Sequence, residues 1–137
     1  MVQVPIPIDV GEQDWNLFTF RDFIAHDAVQ VCAADITKCG GYGSMKRVAT
    51  LCRAFGVSLS PHNTSKSIGM AASLQFIASS PECNSYHEFS IEPKSAPNYL
   101  INEFKVENGL LQVPDKPGLG VELDIELIEK TMEKSEY

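Results

Sequence analysis

Four polar residues, Glu12, Asp35, His62 and Glu88, lie 23, 27 and 26 positions apart along the chain. Carboxylates and imidazoles exchange protons near neutral pH, so a set of these types that converged in space could carry out acid–base chemistry. Taken singly, each has a plainer reading. Glu12 after Gly11 would be a solvated loop carboxylate, and His62 after Pro61 a packing or surface histidine. The choice depends on whether the surrounding elements bring the four together.

Those elements repeat. The extended apolar segment 4–10 carries Pro5 and Pro7, which suit an edge strand or strand entrance, and it stops at Gly11-Glu12. Residues 15–28 read as a helix: Thr19 and Asp22 match the capping pattern [ST]-x-x-[DE], and Phe20, Phe23 and Ile24 recur at helical spacing. Segment 29–34 is apolar almost throughout, as a strand buried on both faces should be, and it ends at Asp35. Gly40, Gly41 and Gly43 form a turn. Ser44 then opens a helix with Met45, Val48, Cys52 and Phe55 on one face and Gly56 as its stop. Strand 57–60 leads to Pro61-His62, helix 68–79 is ended by Pro81, and a short strand 85–89 holds Glu88.

The spacing of the strand ends is close to one βα unit of a (β/α) barrel, where eight units take about 250 residues. Residues 1–103 therefore read as four consecutive βα-type units of an α/β fold, half of the eight a barrel needs. A doubly wound open sheet gives the same alternation. In a barrel, polar residues at the strand ends converge on one face, which would unite Glu12, Asp35, His62 and Glu88. Residues 104–137 look like an appendage: a hairpin over 104–113 turning at Asn108-Gly109, a Pro/Gly loop, and an acidic helical tail from Asp124.

Composition narrows the partners. With 11 Lys and Arg against 18 Asp and Glu, the net charge is −7, which argues against nucleic acid or an anionic membrane as a partner. No apolar run approaches the roughly 20 residues needed to span a bilayer, and the N-terminus lacks a signal-peptide pattern, so a cytoplasmic location is expected. Cys32, Cys39, Cys52 and Cys83 form no C-x-x-C pair and read as reduced, buried thiols. His26 and His87 read as structural or solvated. Lys38 and Lys66 are loop cations near the expected pocket, either solvated or placed to attract an anionic substrate. Gly40-Gly41-Tyr42-Gly43 is no dinucleotide fingerprint, because Lys46 stands where the third glycine would be.

The segments PIDVGE (7–12), DITKCGG (35–41), SLSPH (58–62), HE (87–88) and PGLGVELD (117–124) resemble, in that order, the closing half of mandelate-racemase-like enzymes of the enolase superfamily. The resemblance implies the C-terminal half of a (β/α)7β TIM-like barrel with parallel strands, followed by the hairpin and tail. It implies that Glu12 matches the third of three carboxylates holding magnesium (Mg2+), which requires hard oxygen ligands. Asp35 and His62 match an Asp-His acid/base dyad, and Glu88 matches a glutamate that hydrogen-bonds a substrate carboxylate oxygen. The implied reaction removes the proton α to a carboxylate. It passes through an enediolate whose second negative charge a cation and a hydrogen-bond donor offset.

Asp35 stands where muconate-lactonising relatives have lysine, so the resemblance points to the mandelate-racemase type. Sugar-acid dehydration is the commonest activity there and racemisation the other outcome, with a small carboxylate or sugar acid as substrate. The second-strand lysine and two of the magnesium carboxylates of that pattern would lie upstream of Met1. The chain alone is therefore expected to be inactive: a fragment, a truncated reading frame, or one half of a split enzyme that self-associates or meets a complementing N-terminal half. A non-catalytic half-barrel is the alternative.

Overall fold

The computed structural model describes residues 4–90 and 98–135. Strands β1 (Asp9–Val10), β2 (Val31–Cys32) and β3 (Ser58–Leu59) pair in parallel in that order, with Asp9 opposite Val31 and Val31 opposite Ser58. Helix α1 (Leu17–Ala25) joins β1 to β2, α2 (Gly41–Phe55) joins β2 to β3, and α3 (Ile68–Ala78) follows β3. The expected α/β alternation around a parallel sheet is the architecture found.

Each strand shows the two-sided pattern of a pleated backbone. Cys32, Ala34 and Leu59 are buried on the helix side, packed with Phe20 and Ile24 of α1, Met45, Val48 and Cys52 of α2, and Phe76 of α3. The i, i+3, i+4 and i+7 spacing of Met45, Val48, Ala49 and Cys52 makes one buried stripe on α2. Phe55, expected on that stripe, is 56% exposed, because the helix ends there at Gly56 (φ 70°). All four cysteines are free. Burial pushes the Cys39 thiol up to about 11 and the Cys83 thiol up to about 12, so neither is a ready nucleophile.

Several local boundaries differ from the sequence expectation, and the strands expected over 4–10, 29–34 and 57–60 are regular only over 9–10, 31–32 and 58–59. Helix α1 is capped by Asn16, whose Oδ1 accepts the Thr19 N–H at 3.0 Å, so Thr19 is already inside the helix and does not start it. The helix stops at Ala25, with Asp27 at φ 52° and the Ala28 N–H returning to the Phe23 carbonyl at 3.0 Å. Helix α2 opens at Gly41 instead of Ser44: Gly40 and Gly41, at φ 99° and 80°, make the turn, and Gly43 is taken into the helix. Segment 85–89 is not a strand. Leu59 N–H donates to the Glu82 carbonyl at 3.1 Å and the Ser60 hydroxyl to the Tyr86 carbonyl at 3.3 Å, but a bend at Ser85 takes the chain off the β3 register.

The appendage contains the hairpin β4 (Val106–Glu107) and β5 (Leu110–Leu111), whose Asn108 and Gly109 have φ of 52° and 77°. Positive φ at both central residues is what a two-residue turn of this hand requires. Leu100 pairs antiparallel with Leu123, and α4 (Ile125–Ser135) begins where Asp124 Oδ1 accepts the Leu127 N–H at 2.9 Å. Gln75 Nε2 donates to the Pro114 carbonyl at 2.7 Å, tying this part to α3. No helix among the described residues is long and apolar enough to cross a membrane.

Gly11 carries the chain from β1 to Glu12 at φ 117°, and a Cβ there would meet the Phe20 ring at 2.9 Å. Gly11→Ala is therefore expected to destabilise the fold by about 1 to 3 kcal/mol, through backbone strain and overpacking, as read from urea unfolding.

Candidate active site

The loop after β2 fixes Asp35 first. Thr37 donates both its backbone N–H and its hydroxyl to Asp35 Oδ1, each at 2.7 Å, while the Asp35 carbonyl accepts from Lys38 and Cys39 at 3.1 and 2.9 Å. One carboxylate oxygen is thus occupied and the other is left facing His62. Burial alone would raise this carboxyl. The hydrogen bonds from Thr37 and the neighbouring His62 outweigh it and hold Asp35 below the usual carboxylate range.

The chain leaves β3 through buried Pro61 and sets His62 with Nδ1 at 3.1 Å from Asp35 Oδ2. An ionised Asp35 only accepts, so Nδ1 carries the hydrogen and the other ring nitrogen is directed elsewhere. That nitrogen, Nε2, lies 3.4 Å from Glu12 Oε2 and 3.6 Å from Glu88 Oε2. Asn63 N–H donates to Glu88 Oε2 at 3.4 Å, and Asn63 is itself held by bonds to Ser65 and Ser73. The ring is only 13% exposed, whereas the Glu12 and Glu88 side chains are 53% and 45% exposed. The imidazole therefore stands between one buried carboxylate and two solvated ones.

A cleft of about 590 Å³ opens on this arrangement, lined by Asp9, Glu12, Ala33, Ser60, His62 and Glu88 among others. Three of the four residues singled out from the sequence thus face the same space, and Asp35 stands behind His62. Glu88 reaches the cleft from irregular chain. His87 does not line it: burial pushes its pKa down, and its Nδ1 has no hydrogen-bond partner among the described residues. His26 is exposed and bonds the Asp22 carbonyl at 2.8 Å.

Sequence reasoning missed Asp9 and Thr37. The signal for Asp9 was strand alternation: Val10 packs against the core, so its neighbour must face the other way. Burial and the nearby Glu12 and Glu88 carboxylates push Asp9 up, and His62 only partly offsets them.

The arrangement does not amount to a magnesium cage. Among the described residues no group of three or more His, Cys, Asp or Glu side chains is disposed to hold a metal ion. Glu12 offers a single carboxylate, whose Oε2 lies 3.4 Å from His62 Nε2 and whose Oε1 accepts from Gln13 Nε2 at 3.4 Å.

A profile of the enolase C-terminal domain-like family matches residues 2–127. The chain is 30% identical over 130 residues to the D-xylonate dehydratase of Haloferax volcanii, a match covering 95% of this chain and 32% of that enzyme. Identity is also 30%, over 129 residues, with the D-galactarolactone cycloisomerase of Agrobacterium fabrum, covering 88% of this chain and 34% of the relative. The crystal structure of the 3,6-anhydro-D-galactonate cycloisomerase from Zobellia galactanivorans matches with a TM-score of 0.79 at 30% identity, covering 93% of this chain and 36% of that one. The chain thus spans about a third of the length of these relatives.

The buried Asp35 and the exposed Asp9 should respond oppositely to acid. Asp35, held low when folded, adds stability above the unfolded carboxylate value near ~3.9 and loses it as pH falls through its lower folded value. Asp9, held high, costs stability at neutral pH and is relieved as pH falls towards ~3.9. In denaturant titrations at pH 7, Asp9→Asn should raise the unfolding midpoint and Asp35→Asn lower it, with both differences shrinking in acid.

Proposed function

The chain belongs to the enolase C-terminal domain-like family, and on that premise we propose that it supplies the proton-transferring edge of a sugar-acid dehydratase or isomerase. The reaction proposed is abstraction of the proton α to a carboxylate through an enediolate. The observation that carries the reading is the His62 ring, with Nδ1 on Asp35 and Nε2 in the cleft. Relatives named as a D-xylonate dehydratase and a D-galactarolactone cycloisomerase support the substrate class.

In this reading Nε2 takes a proton from the substrate or returns one to it. Asp35 keeps the ring's tautomer and angle constant and stabilises the imidazolium formed in the transfer. Its two bonds from Thr37 keep the carboxylate from turning away. Glu88, beside Nε2, donates a hydrogen bond to a substrate carboxylate oxygen when it carries a proton. Returning the proton to carbon gives racemisation or isomerisation. Passing it to a departing β-hydroxyl gives dehydration. Magnesium in an enzyme of this kind offsets charge on the enediolate, and Glu12 alone does not hold it. A complete cation site therefore takes further carboxylates from an assembled enzyme.

A second reading, a non-catalytic half-barrel or subunit that pairs with itself or with a complementing half, is favoured by the sheet edge. Among the described residues β1 makes ladder bonds only on its β2 side. A free parallel edge promotes association with another chain.

Loss of the α-proton signal of a sugar acid in D₂O, followed by proton NMR, separates these readings. The purified chain alone, with magnesium, is expected to give no exchange and to run as a dimer or larger species in light scattering. Joined to a complementing barrel half that restores exchange, His62→Asn is expected to lower the rate by about 10² to 10⁴, with Asp35→Asn also impaired. Exchange that survives His62→Asn unchanged rules out the acid/base assignment, and turnover by the chain alone rules out the need for a second half.

A further inference from the structure

Lys38 closes a ring of contacts around His62. Its Nζ donates to the Glu12 backbone carbonyl at 3.1 Å, across 26 residues of sequence, and lies 3.9 Å from Asp35 Oδ2. Asp35 Oδ2 is 3.1 Å from His62 Nδ1, and His62 Nε2 is 3.4 Å from Glu12 Oε2. The circuit runs from the loop after β2, through the segment that leaves β3, to the turn that leaves β1, and back.

The distances rank the two contacts of the ammonium. At 3.1 Å the Glu12 carbonyl is within hydrogen-bond range. At 3.9 Å the Asp35 carboxylate is beyond it, although charge-assisted bonds of this kind run near ~2.8 Å where they form. Neutralising Asp35 is thus the lesser part of what Lys38 does. Its directed bond goes to a main-chain atom of the turn that carries Glu12, in a half-exposed position where a loop lysine would otherwise be free to sample solvent. Gly11, at φ 117°, makes that turn, and within it the Asp14 N–H to Gly11 carbonyl bond at 3.1 Å closes the backbone on itself, while Gln13 Nε2 donates to Glu12 Oε1 at 3.4 Å.

We propose that Lys38 is a positioning residue: by anchoring the Glu12 peptide to the loop that bears Asp35, it holds the Glu12 carboxylate against the cleft-facing nitrogen of His62. This rests on the reading above only in naming His62 as the working group, and its test reads geometry instead of turnover. Two amides of the full chain serve as reporters in hydrogen exchange. Asp14 N–H reports the Glu12 turn, and Ala33 N–H, bonded to the Val10 carbonyl at 2.8 Å, reports the β1–β2 ladder.

In Lys38→Met, which keeps most of the side-chain stem, Asp14 is expected to exchange about three- to tenfold faster with Ala33 unchanged. The His62 Nε2 nitrogen resonance should move as it does in Glu12→Gln. Lys38→Arg, which keeps charge and donors, should restore both signals. Unaltered exchange at Asp14, equal acceleration at Asp14 and Ala33, or a His62 signal that responds to Glu12→Gln but not to Lys38→Met would each overturn the proposal. If no assembly catalysed proton exchange, the functional reading would fail while these readouts stood.

Discussion

The Asp35 to His62 contact is the interaction on which the rest of the site depends. It joins the chain leaving two neighbouring parallel strands, β2 and β3. Burying a carboxylate is costly unless its oxygens are satisfied. Here Thr37 satisfies one oxygen and His62 the other. Removing either partner would leave a buried charge underbonded, so the same contacts that orient the ring also stabilise the loop. Structure and proposed chemistry share one set of hydrogen bonds.

The sheet makes this economical. Regular pairing extends over only two residues per strand, yet that is enough to set the register. Once Val10, Cys32 and Leu59 are committed to the helix side, alternation assigns Asp9, Ala33 and Ser60 to the cleft. A slip of one residue would put charge into the core around Phe20 and Phe76, and the energetic penalty of that exchange is what keeps the polar face turned to the cleft. The small residues on the cleft side, Ala33 and Ser60, leave the volume into which His62 projects.

The convergence of Glu12 and His62 was legible because strand ends spaced by one βα unit land on one face whatever the details of the helices. What was not legible came from contacts that have no periodic trace. Asn16 caps α1 ahead of the more recognisable Thr19 pattern because an Asx side chain at this position reaches the free N–H three residues on, which is that of Thr19 itself. Glu88 was placed on a strand, and the chain there bends at Ser85. The residue still reaches the cleft because two bonds to Leu59 and Ser60 hold the segment beside β3. Asp9 escaped notice because attention to strand ends overlooks charges placed one layer deeper.

Charge in the cleft decides how far this chain can act unaided. Asp9, Glu12, Asp35 and Glu88 lie around one imidazole, and Lys38 sits behind it with its directed bond spent on a carbonyl. Each like charge about 5 Å from an incoming carboxylate opposes it by roughly 1 to 3 kcal/mol, depending on how much water remains between them. A sugar acid would meet several such charges, and His62 and Lys38 together offer at most two positive ones. Additional cationic character at the mouth of the cleft is thus a physical requirement for an anionic substrate, and among the described residues no set of side chains is arranged to recruit it as a bound metal ion. In the proposed reading, the carboxylate-rich wall would share such a cation with groups brought by another part of an assembled barrel.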